Sequence, residues 1–208
     1  ADFTVCAMSG NFVQRGEPAI VNKWARTKMA LLAGVDLVVE IPVIYATASA
    51  EFFAHGGIKI LNSLGVVDYL SFGSEIGQIA PLNTIAEILI HEPEHYKVFL
   101  KKNLDSGLSY PAAMEKALDE YLKKYLSRIP ANNDTCFQSA NINQIMNSSN
   151  NILGIEYLKA LKRERSNIIP VTVKRKSNLC TAEHLTGAIS SATAIRKHMT
   201  EIFNVSNK

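Results

Sequence analysis

The sequence DFTVCAMSGNFVQRGEP, residues 2–18, joins two segments of opposite character. Residues 3–8 are mainly apolar, which is typical of a parallel β-strand covered on both faces. Residues 9–18 are polar and contain Gly10, Gly16 and a proline, which favour a loop and left-handed backbone. Open α/β sheets bind ligands at the carboxyl ends of their strands. The stretch therefore predicts a strand followed by a binding loop, with an ordinary surface turn as the alternative.

Three further apolar runs alternate with helical patterns along the chain. The runs are Val35–Ile41, Val66–Phe72 and Ile168–Val173, and amphipathic patterns cover residues 21–33 and 49–64. This alternation predicts an α/β fold, a Rossmann-like doubly wound parallel sheet.

The middle of the chain departs from this alternation. Residues 80–126 have helical periodicity, and residues 127–148 are rich in Asn and Ser, which predicts a loop with one helical turn. We expect residues 1–79 and 149–208 to form the two parts of the α/β domain, with a mainly helical insertion over 80–148.

Composition narrows the class of protein without identifying a partner. The chain has 208 residues, 47% of them hydrophobic, and a formal net charge of +3. Cys6, Cys136 and Cys180 show neither CxxC nor metal-site spacing, so we expect no bound metal and a reducing, cytoplasmic location. No run reaches the roughly 18 apolar residues of a membrane span, and no signal peptide is visible. Because the chain starts at a strand without Met, we expect further sequence upstream.

Anion-binding features follow two of the predicted strands and begin the last helix. Arg15 and Lys23 belong to the opening loop and the helix after it, and Gly73 of SFGSE would let a ligand approach the backbone. The sequence ISSATAIRKHM, residues 189–199, predicts a capped helix whose first amides suit phosphate. It carries the hydroxyl and cationic groups Ser190, Ser191, Thr193 and Arg196. A tight turn and a capped helix with incidental arginines are the alternatives.

Two other regions have polar or basic character. Ser149 or Asn150 is expected to cap a helix, Asn150 and Asn151 could read a base or ribose, and Arg175 follows the last strand. Residues 159–176 hold seven basic residues and one acid, Glu164. The three that we expect to contact RNA phosphates are Lys162, Arg163 and Arg165. A solvated helix face is an equal alternative.

Common catalytic motifs are missing from the sequence. It contains no GxxxxGK[ST] loop, GxGxxG, GxSxG or HExxH motif. HEPEH, residues 91–95, is interpreted as a boundary between helices because it contains a proline.

Several stretches together resemble the bacterial tRNA(Met) cytidine acetate ligases of the HIGH-motif nucleotidyltransferase superfamily. They are MSGNFVQRGEPAIVNKWARTKMAL, GVDLVVEIP, SAEFFAHGG, SFGSE, SNNILGIEYLKAL and ISSATAIR. The resemblance covers residues 1 to about 200.

The resemblance implies an enzyme that joins acetate to ATP as acetyl-adenylate and acetylates N4 of the wobble cytidine of elongator tRNA(Met). It implies ATP, accompanied by Mg²⁺, as the cofactor, and acetate and tRNA as partners. By motif match the ATP-binding residues would be Gly73, Asn150, Arg175, Ser190, Ser191, Thr193 and Arg196.

Three departures from the family pattern affect these expectations. The HxGH motif, whose histidines would stabilise the triphosphate, is expected before residue 1 and is absent here, so the catalytic residues are unassigned. A Tyr-His-Asp expected after Arg175 is replaced by NLCTAEH, and a further C-terminal domain is expected after ISSATAIR. We therefore expect a truncated chain that is inactive alone. The alternatives are a small-molecule adenylyltransferase and a non-catalytic RNA-binding module.

Overall fold

The computed structural model describes residues 2–125, 142–175 and 194–199. The chain divides into two compact units, Ala1–Lys174 and Arg175–Lys208. The first unit contains all the strands described below. The second contributes Arg175 and a helix over residues 194–199.

The first unit alternates strands and helices. Its strands are β1 Val5–Ser9, β2 Leu37–Ile41, β3 Tyr69–Ser74 and β4 Ile169–Lys174. Its described helices are α1 Lys23–Leu32, α2 Val43–Ala46, α3 Ala50–Leu64, α4 Ile79–His91, α5 Glu94–Asp105, α6 Tyr110–Tyr125, α7 Ile142–Met146 and α8 Ser149–Arg163. A 3₁₀ turn spans Gln14–Gly16.

All four predicted strands form, and they pair in parallel. β1 pairs with β2 and β3 pairs with β4. Among the described residues the hydrogen bonds join the strands in these two pairs rather than in one four-stranded ladder. Parallel strands that alternate with helices confirm the predicted α/β class.

The strands are less buried than their apolar sequences predict. Side chains of β3 alternate strictly between exposed and buried, and Leu37, Ile169 and Val173 are 48%, 52% and 59% exposed. In the described part of the chain, α8 packs against β3. A strand covered on one face has a period of two, so the expectation of burial on both faces is wrong here.

The predicted helical region over residues 80–126 is confirmed as α4, α5 and α6. α4 begins the region and packs against α8, and α5 packs against α6. The HEPEH sequence separates α4 from α5, as predicted, with Glu92 in the left-handed region at φ 40°. The predicted loop over 127–148 lies mostly outside the described residues, and its end forms α7.

The main core lies between β3 and the helices around it. Its most completely buried apolar side chains come from α3, α4, α6 and α8, and include Ile58, Leu82, Ile85, Leu118 and Leu158. Burial of each such side chain stabilises the fold by about 1.5–3 kcal/mol before entropic costs. The packing holds α8 firmly against β3, and this contact positions the site described below.

The glycines of α3 do not interrupt the helix, although Gly56-Gly57 weakens the helical pattern. A Cβ atom on Gly56 would lie 2.5 Å from Cγ of Tyr45, whereas one on Gly57 would meet only Cδ1 of Ile41, at 3.7 Å. Gly56 therefore permits α2 to pack closely against α3.

The start of α8 differs from the prediction. Ser148, not Ser149 or Asn150, is the N-cap residue, and its side chain makes no capping hydrogen bond. Its hydroxyl donates instead to the carbonyl of Gln144. Gly154 accommodates the ring of Phe72: a Cβ atom there would lie 2.7 Å from Cε2.

Candidate functional site

The carboxyl ends of β3 and β4 lie side by side. Gly73 pairs with Val173, and Ser74 with Lys174, in a parallel register. Gly73 is exposed and the buried hydroxyl of Ser74 lies 2.7 Å from that of Thr172. This edge is where open α/β sheets bind ligands, and it carries the glycine that the sequence predicted.

The loop after β3 is held tightly against this edge. The amide of Gly77 donates to Oγ of Ser74 at 2.9 Å. Gly77 has φ +66°, and a Cβ there would lie 2.5 Å from Cβ of Lys174. The close approach of the loop to the end of β4 therefore requires glycine at this position.

Three residues connect this loop to the first turn of α8, and we call them the brace: Glu75, Asn150 and Asn151. The carboxylate of Glu75 accepts from Nδ2 of Asn150 at 2.7 Å and from the amide of Asn151 at 3.1 Å. In return, Oδ1 of Asn151 accepts from the amides of Glu75 and Ile76, at 2.9 and 3.3 Å. Glu75 thus satisfies an amide at the start of α8 that has no partner within the helix, as a capping residue would.

Asn151 is more buried than the sequence analysis predicted. Its side chain is almost fully buried, 2% exposed, whereas we expected an amide available to a ligand. A buried amide must be hydrogen-bonded, and the loop after β3 supplies both donors. Asn151 therefore acts as a structural link, whereas Asn150 is only partly buried.

A second edge lies at the ends of β1 and β2, where the opening loop begins. Nζ of Lys23 forms an ion pair with Oε2 of Glu40 at 2.7 Å, and the amide of Lys23 donates to Oδ1 of Asn11 at 2.9 Å. A Cβ on Gly10 would overlap Oε1 of Glu40, at 2.1 Å. Gly16 has the left-handed φ of 78° that we expected. Gly10 instead gives room for a carboxylate.

Arg26 fixes the opening loop, and the sequence patterns did not single it out. Its Nη1 donates to the carbonyls of Ser9 and Gly10, at 2.6 and 2.7 Å. The only signal was its place in α1 three residues after Lys23. Burial raises the pKa of the Cys6 thiol on β1, and the nearby Arg26 charge opposes that rise.

The basic cluster at the end of α8 is paired with acids from other elements. Lys162 contacts Glu87 of α4 at 2.9 Å, and Arg163 contacts Glu51 of α3 at 2.5 Å. Hydrogen bonds from Lys162 and Arg163 lower the pKa of Glu87 and of Glu51. Arg165 is exposed and adopts a left-handed φ of 49° just after α8.

The remaining predicted residues fall in the second unit or in the 3₁₀ turn. Arg175 follows Lys174 directly and is exposed, and Arg196 lies in the helix over 194–199. The predicted phosphate motif residues Ser190, Ser191 and Thr193 lie outside the described residues. Arg15 is the central residue of the Gln14–Gly16 turn.

Neither a metal-binding cluster nor a membrane-spanning helix occurs in the described part of the chain. Over 2–125, 142–175 and 194–199, no three His, Cys, Asp or Glu side chains come close enough together to bind a metal ion. No helix in the same ranges has both the length and the apolarity needed to cross a bilayer.

The family of the chain follows from its sequence as a whole. A model of the HIGH Nucleotidyl Transferase family matches residues 1–207. The chain belongs to this family. Membership in the HIGH nucleotidyl transferases agrees with the parallel strands and with the strand-end edge described above.

Curated relatives within the HIGH nucleotidyl transferases confirm the resemblance seen in the motifs. The chain is 61% identical over 199 residues to the tRNA(Met) cytidine acetate ligase of Acetivibrio thermocellus, covering 96% of this chain and 45% of the relative. It is 52% identical over 200 residues to the enzyme of the same name from Thermoanaerobacter sp., with 96% and 46% covered. The chain thus spans about half the length of these relatives.

Solved structures of a HIGH nucleotidyl transferase relative match the fold. Apo Thermotoga maritima TmcAL superposes with a TM-score of 0.84 at 40% identity, over 96% of this chain and 45% of that one. TmcAL bound with alpha-thio ATP gives a TM-score of 0.79 at 39% identity, over 96% and 44%.

Proposed function

We propose that this chain is part of a cytoplasmic ligase that uses ATP and acetate to acetylate N4 of the wobble cytidine of elongator tRNA(Met). The names of the curated relatives support the reaction, and the solved TmcAL complex with alpha-thio ATP supports nucleotide binding by this fold. The observation that carries the proposal is the edge formed by Gly73 and the brace.

The proposed reaction consists of two chemical steps, each a substitution, at the edge formed by the ends of β3 and β4. A carboxylate oxygen of acetate bonds to the α-phosphorus of ATP and pyrophosphate leaves. N4 of the cytidine then bonds to the acetyl carbon and loses a proton, and AMP leaves. Mg²⁺, which would be held largely by the phosphate oxygens, would neutralise charge on the leaving pyrophosphate.

The residues of this chain would bind and orient the nucleotide. Gly73 presents backbone without a side chain, so a ligand can approach β3 closely. Asn150 supplies an amide at the same edge. The hydroxyl groups and cations assigned to the phosphates are Arg175, Ser190, Ser191, Thr193 and Arg196. Arginine guanidinium groups would stabilise negative charge that develops during adenylyl transfer.

The five basic residues proposed to contact tRNA or phosphate differ in their structural setting. Lys23, Lys162 and Arg163 are engaged by carboxylates, so a phosphate would have to compete with Glu40, Glu87 or Glu51. Exposed ion pairs contribute only about 0–1 kcal/mol. Replacing the carboxylate partner by a phosphate would therefore cost little free energy. Arg15 and Arg165 complete the proposed set.

The experiment that tests the proposal measures two activities of the whole gene product that carries this chain. Acetate-dependent pyrophosphate release from ATP reports the first step, and N4-acetylcytidine in tRNA(Met) reports the second. We expect both. Pyrophosphate release with another small substrate and no need for tRNA would indicate a small-molecule adenylyltransferase. Retention of tRNA without pyrophosphate release would indicate a binding module.

A further inference from the structure

We infer that the cavity at the carboxyl ends of β1 and β2 binds a single base of the RNA, stacked on Trp24, and that Glu40 selects a base with an exocyclic amino group. This inference deepens the proposed function and rests on it, because it takes the ligand to be tRNA. It assigns a base contact to two residues outside the motif-matched set.

The cavity has the size of a small, flat group. It measures about 230 Å³ and lies between the ends of these two strands and the start of α1. Sites for drug-sized ligands enclose about 300–1,000 Å³, so this one suits a smaller group such as a single base. Its lining combines apolar side chains with one ion pair, and includes Met8, Val38, Trp24, Lys23, Glu40 and Gly10.

Trp24 supplies a surface on which a base can stack. It is the one tryptophan of the chain and is 74% exposed, although tryptophan is highly buried on average. Nζ of Lys23 lies 5.5 Å from the centre of its ring, within the range of a cation–π contact. Proteins bind unstacked bases of single-stranded RNA on aromatic rings. An exposed ring beside a cavity of this size is suited to that role.

Glu40 supplies a hydrogen-bond acceptor in the same cavity. Its Oε2 accepts from Nζ of Lys23 at 2.7 Å. Its Oε1 lies against Gly10, and over the ranges that the structure describes this oxygen makes no hydrogen bond. An ionised carboxylate oxygen only accepts hydrogen bonds, and the base group that carboxylates accept from is the amino group of cytosine.

Lys23 links the two parts of the site. Its backbone amide donates to Oδ1 of Asn11, and its ammonium contacts both Glu40 and the ring of Trp24. An ammonium has three donors, so Lys23 can keep Glu40 and still donate to a base. Cytosine and adenine carry an amino donor beside a ring-nitrogen acceptor, whereas uracil and hypoxanthine carry a carbonyl in place of that amino group. The ion pair therefore favours cytosine or adenine.

The test uses the whole gene product without ATP or acetate, and the probes are trinucleotides of cytidine, uridine, adenosine or inosine. The difference in fluorescence between the unaltered protein and Trp24→Phe isolates the signal of Trp24. We expect quenching of this signal, and tighter binding of cytidine than uridine or of adenosine than inosine. The pair that shows the preference identifies the base.

Two substitutions of Trp24 separate stacking from other effects. Trp24→Ala should weaken binding of the preferred trinucleotide and of tRNA(Met) by roughly 10-fold or more, the effect of losing one stacked base. Trp24→Phe keeps an aromatic ring and should retain most of the affinity. Phe52→Ala is the matched control, because it removes another exposed aromatic ring from the start of a helix, α3, and should leave binding unchanged.

Glu40→Gln tests the choice of base. The new amide can still accept from Lys23 through its carbonyl, which leaves an NH₂ donor where Oε1 stood. The preference for the amino-bearing base should fall by roughly 10-fold, the effect of one hydrogen bond. A purely structural role of Glu40 would instead weaken all four probes alike. Glu94→Gln is the control, since it makes the same change in another exposed pair of a glutamate with a lysine.

Thermal unfolding is followed for every variant, and if Trp24→Ala unfolds, the quenching and the Glu40→Gln preference remain the readouts. The inference is contradicted if no trinucleotide changes the Trp24 signal, or if Glu40→Gln leaves the preference unaltered. Shielding of Trp24 from acrylamide in the free protein would also contradict it, because another part of the gene product would then cover the ring. Since binding is measured without ATP, failure to acetylate tRNA(Met) would contradict the proposed function and not this site.

Discussion

At the scale of single residues, Arg26 shows how one side chain can shape a loop. It reaches from α1 to two consecutive carbonyls, those of Ser9 and Gly10, where β1 ends. Both residues are buried. Carbonyl groups removed from water need a donor, and Arg26 supplies it to both. The loop after β1 therefore depends on a residue that belongs to the next helix.

We expect Arg26→Ala to lower the free energy of unfolding by about 1–3 kcal/mol, because it leaves two buried carbonyls without this donor. Urea unfolding of the purified protein measures the change. Lys28→Ala is the control, since Lys28 is a residue of the same helix for which the structure shows no such bonds to Ser9 or Gly10, and it should change stability by no more than about 0.5 kcal/mol. Equal effects of the two substitutions would show that the bonds from Arg26 contribute nothing.

At the scale of elements, α3 contains two neighbouring glycines with different surroundings. Both weaken a helix by roughly 1 kcal/mol relative to Ala. Only Gly56 faces the base of the Tyr45 side chain, on α2. Glycine therefore permits close helix packing at position 56, whereas position 57 has no neighbour that requires glycine. The sequence alone cannot distinguish these two positions.

We predict opposite signs for the two alanine substitutions in α3. Gly57→Ala should stabilise the protein by up to about 1 kcal/mol through helix propensity, because its Cβ would have ordinary contact with Ile41. Gly56→Ala should destabilise it by about 1–3 kcal/mol, because Cβ and Cγ of Tyr45 cannot move without displacing α2. Each variant serves as the control for the other in thermal or urea unfolding. Stabilisation by both would mean that Tyr45 moves aside freely.

Local sequence identified those positions of the candidate site that depend on neighbours in the chain. Gly73 at a strand end and Asn150 at a helix start were both identifiable in this way. The brace could not be predicted, because Glu75 and Asn150 lie 75 positions apart. The same holds for the basic cluster: counting charges over 159–176 found one acid, while Glu87 and Glu51 come from 75 and 112 positions away. Tertiary packing supplies partners that a sequence window does not contain.

At the scale of the whole molecule, ion pairs join α8 to two of the helices that pack against it, α3 and α4. Glu87 on α4 pairs with Lys162, and Glu51 on α3 pairs with Arg163. Each pair lowers the pKa of its carboxyl group in the folded state from a usual value of 4.5. The stabilisation is therefore present above pH 4.5 and is lost as the pH falls through the lowered values.

We expect Glu51→Gln/Glu87→Gln to flatten the acid side of the stability profile. The variant should be slightly less stable than the unaltered protein at pH 7, by about 0–1 kcal/mol per exposed pair, and the difference should disappear under more acidic conditions. Urea unfolding at several pH values, from neutral to below the usual carboxyl pKa, measures it. Lys162→Gln/Arg163→Gln, which removes the same pairs from the other side, should behave alike. A difference that persists in acid would contradict the predicted sign.

The same pairs bear on the proposed binding of tRNA. Replacing Lys162, Arg163 and Arg165 with Ala in the whole gene product should weaken tRNA binding and reduce its dependence on salt, by roughly 0.7–0.9 in log–log slope for each phosphate that is no longer neutralised. Lys28→Ala is again the control. An unchanged affinity and slope would show that the cluster only joins helices.

The position of these charges along α8 has a geometric consequence. The helix has 15 residues, Ser149–Arg163, and at 1.5 Å per residue it is about 22 Å long. The brace stands at its first turn and the paired cations at its last. If both ends bind as proposed, α8 separates the ATP at the brace from the tRNA phosphates at Lys162 and Arg163 by about this length. The RNA would then have to extend over that distance, from its bound phosphates to the cytidine that is acetylated.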